Sequence, residues 1–352
     1  MLKRICARVL ICLLVLLCVA CVGQDNIFVP TEPDTETERL PILEESEATT
    51  ATVYYATLDK RYLLPLNLTI NATKEVARVA MEKLLAGPPT SAAAPLLPPD
   101  TKLLDLYSSS STVYVNVTGE ILEIERDKAQ LAMDSILCTI LPLTEGYRLQ
   151  LLVEGQICYS LGDVDTSTPL SLPQPGINAD AVSRERWLLY QTERDHSGGL
   201  TLTYYLSDPQ SVYLVPRTLY YLPEEEEGAE PEYSAGEDSL SAACAKAVLK
   251  AMLETDEGES GLSRPFWQGT EILDVRVDDN TAYVDFSYKL TGYGGGAAAE
   301  SMMLNCLVYS LTSLSGISAV QVLIEGRMGI LPEGMDISKP LTPQAPLNTI
   351  NN

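Results

Sequence analysis

Few residues in this sequence are of a type and spacing that could do chemistry. His196 is the single histidine and lies in ERDHSGG (193–199). Ser-His-Asp or Cys-His catalysis would have to run through it, yet no G-x-S-x-G elbow accompanies it. A solvated loop histidine fits its Gly, Ser and charged neighbours. GYGGGAAA (292–299), between a predicted strand and a predicted helix, could cradle a phosphate with backbone amides. No Lys-Ser/Thr pair follows it, however, and the spacing is not G-x-G-x-x-G. Asp163, Asp165 and Ser167 start like a calcium loop, but Thr168 stands where Gly is required and Gln174 where Glu is required. A turn before Pro169-Leu170 is the expectation. Glu154 and Glu325 end two similar strands, and Asp274 and Asp285 face each other across a predicted hairpin. Paired carboxylates can hydrolyse glycosides, but acids at strand ends are commonly exposed or hydrogen-bonded. No catalytic, cofactor-binding or metal-ligating residue is therefore assigned, and no cofactor is expected.

Of the eight cysteines, Cys138, Cys158, Cys244 and Cys306 fall in the folded part. Three lie on apolar positions of predicted helices, and no C-x-x-C spacing occurs, so zinc and thioredoxin-like chemistry have little support. They read as small buried hydrophobes; whether they pair in disulfides is left open by the sequence.

The other four belong to the N-terminus. Lys3, Arg4 and Arg8 precede a short apolar run, 9–20, which is shorter than the ~20 residues of a membrane span. This is the pattern of a secretory signal over 1–20. Cys18-Val19-Ala20-Cys21 resembles a bacterial lipobox, with Cys18 where Leu is commoner. Cys21 is thus the expected lipidation site, carrying acyl chains such as palmitate at the mature N-terminus. Residues 21–50 are rich in acids, Thr and Pro and read as a solvated tether. The expected location is the outer face of the cytoplasmic membrane, held there by lipid. Without residues 1–20 the chain carries 21 basic against 48 acidic residues, a balance that repels nucleic-acid phosphates and anionic headgroups.

The elements are written twice. YRLQLLVEG (147–155) matches SAVQVLIEG (318–326), and the 171-residue offset persists to Asp165 and Asp336 ten residues on. Upstream, TKLLDLY (101–107) matches TEILDVR (270–276), and TVYVNVT (112–118) matches TAYVDFS (281–287). TVYYATLD (52–59) is similar to LTYYLSDP (202–209). Each copy predicts strands, a helix, a hairpin, a second helix and a closing strand. In the first copy these are strands 52–57 and 62–70, and a helix over 72–86 with Asn71 as N-cap and Gly87-Pro88 as stop. A hairpin 101–107/112–118, a helix 127–141 and a strand 148–154 follow. The second copy has helices near 239–253 and 298–314 and a strand 319–325, with an acidic insertion at 223–233. Two helices with alternating strands predict α+β: two tandem small domains, each a mostly antiparallel sheet with two helices covering one face. The expected divisions are 51–172 and 200–343, with a linker over 173–199 and a tail over 344–352. Within the linker, Trp187 is a candidate wedge between the domains.

The YY strand, LLAGP (84–88), PPDTKLLDL (98–106), TAYVDFS and the closing VQxLxEG strand together resemble the GerMN domain of sporulation and germination proteins. Two copies behind a lipobox resemble the GerM-type lipoproteins of endospore formers. The second copy departs where LLAGP becomes MLETDEG (252–258). The resemblance implies a non-enzymatic role and a fold related to ring-building motifs. It also implies protein partners in the spore envelope, where such proteins help place or assemble a septal channel. The rival reading is a peptidoglycan-binding or cortex-modifying lipoprotein; another is a modulator of a membrane sensor.

Overall fold

The computed structural model describes residues 49–71, 73–192, 199–223, 237–292 and 294–350. The signal, Cys21, His196 and most of the acidic insertion lie outside the described residues. Residues 47–352 form one compact unit.

The first copy runs β1 (Thr49–Ala56), β2 (Leu63–Ile70), α1 (Val76–Ala86), β3 (Leu103–Ser109), β4 (Thr112–Val117), α2 (Ala129–Ile140) and β5 (Arg148–Val153). Short strands β6 (Gln156–Ile157), β7 (Ser160–Leu161) and β8 (Val164–Asp165) follow. A helix α3 (Ala181–Thr192) leads into the second copy, β9 (Leu200–Ser207), β10 (Leu214–Tyr221) and α4 (Glu237–Leu253). The chain continues through a single turn α5 (Glu257–Ser260), β11 (Ile272–Asp278), β12 (Thr281–Phe286), α6 (Gly296–Thr312), β13 (Ala319–Ile324) and β14 (Thr349–Ile350).

The α+β class and the mostly antiparallel pairing are as expected, but each copy splits its strands between two sheets. β1–β2 and β9–β10 are separate antiparallel hairpins, while β3-β4-β5-β6 and β11-β12-β13 form the second sheets. In those sheets β4–β5 and β12–β13 run parallel, joined by the helical crossovers. Alternation decides the faces. Val113, Val115, Val117, Leu149 and Leu151 point into the core, as do Ala282, Val284, Phe286, Val320 and Val322 opposite them in sequence. α1 begins at Val76 with Glu75 before it and no side-chain cap, so Asn71 does not cap it. Gly87 ends it as expected, its N–H returning to the Leu84 carbonyl.

The hairpins need partners for their free edges. On β1, α2 supplies them: the Ser135 hydroxyl donates to the Tyr54 carbonyl at 2.6 Å and Thr139 Oγ1 accepts from the Tyr54 amide at 3.0 Å. On β9, Ser310 Oγ accepts from the Tyr205 amide at 2.8 Å and Ser313 donates to the Thr203 carbonyl at 2.8 Å. Tyr54 is therefore the counterpart of Tyr205, and β1 and β9 align with an offset of 151. Matching the two Tyr-Tyr pairs by sequence places them one residue out. The structural alignment instead keeps outward residues outward, because a slip of one turns every side chain to the other face.

The repeated Glu-Gly ends are turns. Glu154-Gly155 and Glu325-Gly326 have φ of 49° and 77°, and of 48° and 75°, which is the left-handed pair of a two-residue hairpin connection. Gly155 N–H donates to Asn116 Oδ1 and Gly326 N–H to Asp285 Oδ1, both at 2.9 Å. Behind them, buried Gln150 and Gln321 donate to the carbonyls of Thr166 and Ile337, at 2.8 and 2.7 Å. These bonds tie the segment after each closing strand over the outer sheet face.

Candidate functional site

The residues singled out for chemistry do not converge. Glu154 Oε1 accepts from the Gly119 amide at 3.1 Å, and Glu325 Oε1 from the Tyr288 amide at 3.3 Å. Asp274 and Asp285 do pair across β11 and β12, but Asp285 is committed to its turn. Asp165 and Asp336 accept from the Ser167 and Ser338 amides at 2.9 and 2.8 Å. The serine hydroxyl first, and then that amide, hold each carboxyl below its ordinary range, so both are turn residues. No cluster of possible metal ligands occurs among the described residues.

Cys138, Cys158, Cys244 and Cys306 are all buried free thiols. Burial pushes the Cys306 thiol up to about 12 and raises Cys138 and Cys244 as well, so these three stay protonated and unreactive at neutral pH. GYGGGAAA divides between a 3₁₀ turn, Tyr288–Gly292, and the start of α6. Asp134, on α2, is a half-buried carboxylate that the sequence did not single out. Burial lifts its carboxyl to about 6, against the Gln130 hydrogen bond and the Arg184 charge. An acid whose folded value exceeds its unfolded one favours the native state below the unfolded value and loses that contribution as pH rises through the folded one. Asp134→Asn is accordingly expected to raise the melting temperature at pH 7.5, by about 2 kcal/mol of stability, and to change little at pH 4; melts at both pH values check this.

Two features do stand out as built surfaces. The first is the seam between the copies. Asn178 Oδ1 accepts from the Leu63 amide at 2.8 Å, and its Nδ2 donates to the Leu63 and Pro216 carbonyls, both at 2.8 Å. Asn348 Oδ1 accepts from the Leu214 amide at 2.9 Å, and its Nδ2 donates to the Leu214 and Pro65 carbonyls at 2.7 and 2.9 Å. Leu63 and Leu214, and Pro65 and Pro216, are counterparts at the 151 offset. Each copy's asparagine thus clamps its own strand and its neighbour's. The prolines fit because they stand opposite Tyr54 and Tyr205, whose amides bond α2 and α6 instead, so no ladder N–H is needed there. Segments expected to be linker and tail carry these clamps: α3 packs on β10, and β14 pairs parallel with β2. Trp187 is half-buried on α3.

MLETDEG, where the second copy departs, runs from the end of α4 into the start of α5, and the departure has a use. The Tyr62 hydroxyl donates to the Ser260 carbonyl at 2.8 Å and Arg61 to the Glu259 carbonyl at 2.6 Å. Arg217 lies over the Tyr62 ring, 4.9 Å from its centroid. Asn178, Asn348 and Tyr62 gave no signal in the sequence beyond an Asn in each trailing segment.

The second feature is a set of exposed apolar residues that recur. Ile157 and Met328 are 44% and 57% exposed, and Tyr159 and Ile330 are both 74% exposed; each pair is related by the 171 offset. Leu104 and Leu273, related by 169, are 45% and 50% exposed. Beside Met328 and Ile330, a groove of about 530 Å³ is lined also by Tyr288, Glu325 and Leu331.

The model of the Germane family, described as sporulation and spore germination, matches residues 52–157 and 203–329. The chain belongs to the Germane family. Membership carries a role related to sporulation or germination. Among solved structures, the tandem GerMN domains of the sporulation protein GerM from Bacillus subtilis are similar at 18% identity and a TM-score of 0.57. That match covers 86% of this chain and 100% of that one. It shows that both copies share the tandem GerMN fold. A putative lipoprotein from Clostridium perfringens is 24% identical over 35% of this chain and 87% of that one, with a TM-score of 0.27. No curated protein sequence matches. The Germane match omits 158–202, which holds Asn178 and α3, so the family model follows the copies and not the seam.

Proposed function

We propose that this Germane-family chain is a non-enzymatic lipoprotein that acts in spore formation or germination by protein–protein contact, helping to place or assemble an envelope-spanning channel. The observation that carries the contact reading is the recurrence of exposed apolar residues at Leu104/Leu273, Ile157/Met328 and Tyr159/Ile330. Solvent would select polar residues at such positions, and two diverged copies keep them apolar. Exposed apolar residues that recur in this way mark an interaction site. In each copy the positions lie toward opposite edges of the second sheet, on β3 or β11 and after β5 or β13, so one module can meet neighbours on two sides.

Replacing Ile157 and Met328 by Asp tests this. The change in unfolding free energy should stay within about 0.5 kcal/mol, as for other exposed positions. In a deletion strain of the source organism the double variant should accumulate normally yet leave spore yield and germination at the deletion level. Full restoration by the variant would refute contact through this surface. Anchoring is tested separately. Cys21→Ala should shift the protein from the membrane fraction to the soluble fraction; unchanged fractionation would remove the lipid from the proposal. Strong retention on purified peptidoglycan by the unmodified chain would favour the wall-binding alternative.

A further inference from the structure

A cavity of about 390 Å³ lies between the two hairpins, and its walls come in pairs. Tyr54 and Tyr205, Thr52 and Thr203, and Pro65 and Pro216 line it, and each pair is related by the 151 offset. Asn67 and Thr218 form a further pair at that offset. Ile177 and Leu347, from the segments that carry the clamps, close it. The outward faces of β1–β2 and β9–β10 thus meet around an axis of pseudo-twofold symmetry.

The chemistry of this lining is unusual for so acidic a chain. With 48 acidic and 24 basic residues in the sequence, none of the described residues lining the cavity is charged. Several of its polar groups are already engaged. Thr52 Oγ1 donates to Asn67 Oδ1 at 2.7 Å, and Thr218 Oγ1 donates to the Ile177 carbonyl at 2.7 Å. The Asn67 amide nitrogen donates to the Leu347 carbonyl. The phenol oxygens of Tyr54 and Tyr205 have no hydrogen-bond partner among the described residues. Burial raises both phenols above their ordinary range, so both keep the proton they would donate.

We infer that this cavity between the copies is a binding site for a neutral saccharide of one or two rings. An anion would find no cation there, and a cation no carboxylate. A β-strand peptide cannot add to β2 or β10, because the asparagine clamps and β14 occupy those edges. A purely apolar ligand would leave two phenols and the Thr203 hydroxyl desolvated without partners. A sugar ring offers hydroxyls to both phenols and apolar C–H faces to the proline, isoleucine and leucine walls, the mixture typical of small-molecule sites. The volume falls at the small end of the ~300–1,000 Å³ such sites span.

Saturation-transfer NMR on the purified full chain, with di-N-acetylchitobiose and maltose as probes at millimolar concentration, tests the site. Transfer to the ring protons of either sugar is expected, and the pattern between the two tells whether the acetamido group is recognised. The double substitution Tyr54→Phe and Tyr205→Phe removes two donors and no bulk. It should weaken binding about tenfold or more, as expected for the loss of two hydrogen bonds, with an unchanged melting temperature. Absence of transfer from both sugars would overturn the site. So would transfer that the double variant leaves intact, since the sugar would then be bound elsewhere. The outcome is independent of the spore phenotype of the Ile157 and Met328 variants.

Discussion

Asn178→Ala is expected to lower the stability of the folded unit by about 4 kcal/mol, and Asn348→Ala by a similar amount. Three hydrogen bonds are lost in each case, and the amide and carbonyls left behind are held away from water; bonds of this kind are worth about 1 kcal/mol each, and more when a buried partner is stranded. Backbone conformation adds to this. Asn178 and Asn348 have φ of 55° and 49°, a left-handed region that asparagine tolerates and alanine does not, at roughly 1 kcal/mol. Glycine at the same positions separates the two terms, since it relieves the backbone but restores no bond; it should recover only about 1 kcal/mol. Asn178→Asp should be worse than alanine at neutral pH, because a carboxylate would face the Leu63 and Pro216 carbonyls without a donor. Urea melts followed by circular dichroism measure all five. The double alanine variant carries the further expectation that one cooperative transition becomes two, as the copies unfold independently. A single transition with under about 1 kcal/mol lost in each single variant would show that the clamps do not hold the seam.

Glu300→Ala is expected to cost about 3 kcal/mol and to loosen one loop. Glu300 is fully buried on α6, and its two carboxylate oxygens accept from the Glu333 and Met335 amides at 2.8 and 2.7 Å. Hydrogen bonds to a charged group are worth ~1.5–3 kcal/mol. The bonds fix the segment that carries Ile330 and Leu331 over the groove. Hydrogen exchange at the Glu333 and Met335 amides should therefore accelerate in the variant, while exchange in the first copy stays as it was. Glu300→Gln keeps the shape but turns an amide donor toward one of the two N–H groups, and should cost about 2 kcal/mol. The positions related to Glu300 by the 169 to 171 offsets are 129–131, Ala-Gln-Leu, so this tie belongs to the second copy alone. Unaltered exchange at both amides would contradict the assignment.

Much of the fold is legible in the chain itself, for a local reason. Val113, Val115 and Val117 alternate on β4, and Ala282, Val284 and Phe286 on β12, because a strand with one face buried must alternate. Ala80, Met81 and Leu84 recur at helical spacing for the same cause. The Glu-Gly ends follow from the turn each closing strand makes. Periodicity over a dozen residues and the demands of a single turn are written in neighbouring letters, so the two helices, the hairpins and the duplication could be read directly. What could not be read was settled by groups far apart in sequence. Asn178 reaches back 115 residues to Leu63, and Asn348 reaches back 134 to Leu214 and 283 to Pro65; nothing near either asparagine encodes its partner. The Tyr-Tyr match misaligned the first strands because type was compared where facing matters. Only the Ser and Thr hydroxyls of α2 and α6, docking on one strand edge in each copy, fix which tyrosine answers which. The split of each copy into two sheets, the seam and the cavity between the hairpins likewise depend on packing between surfaces. A side chain's neighbours across such a surface leave no period in the sequence, and that is why tertiary structure alone decided them.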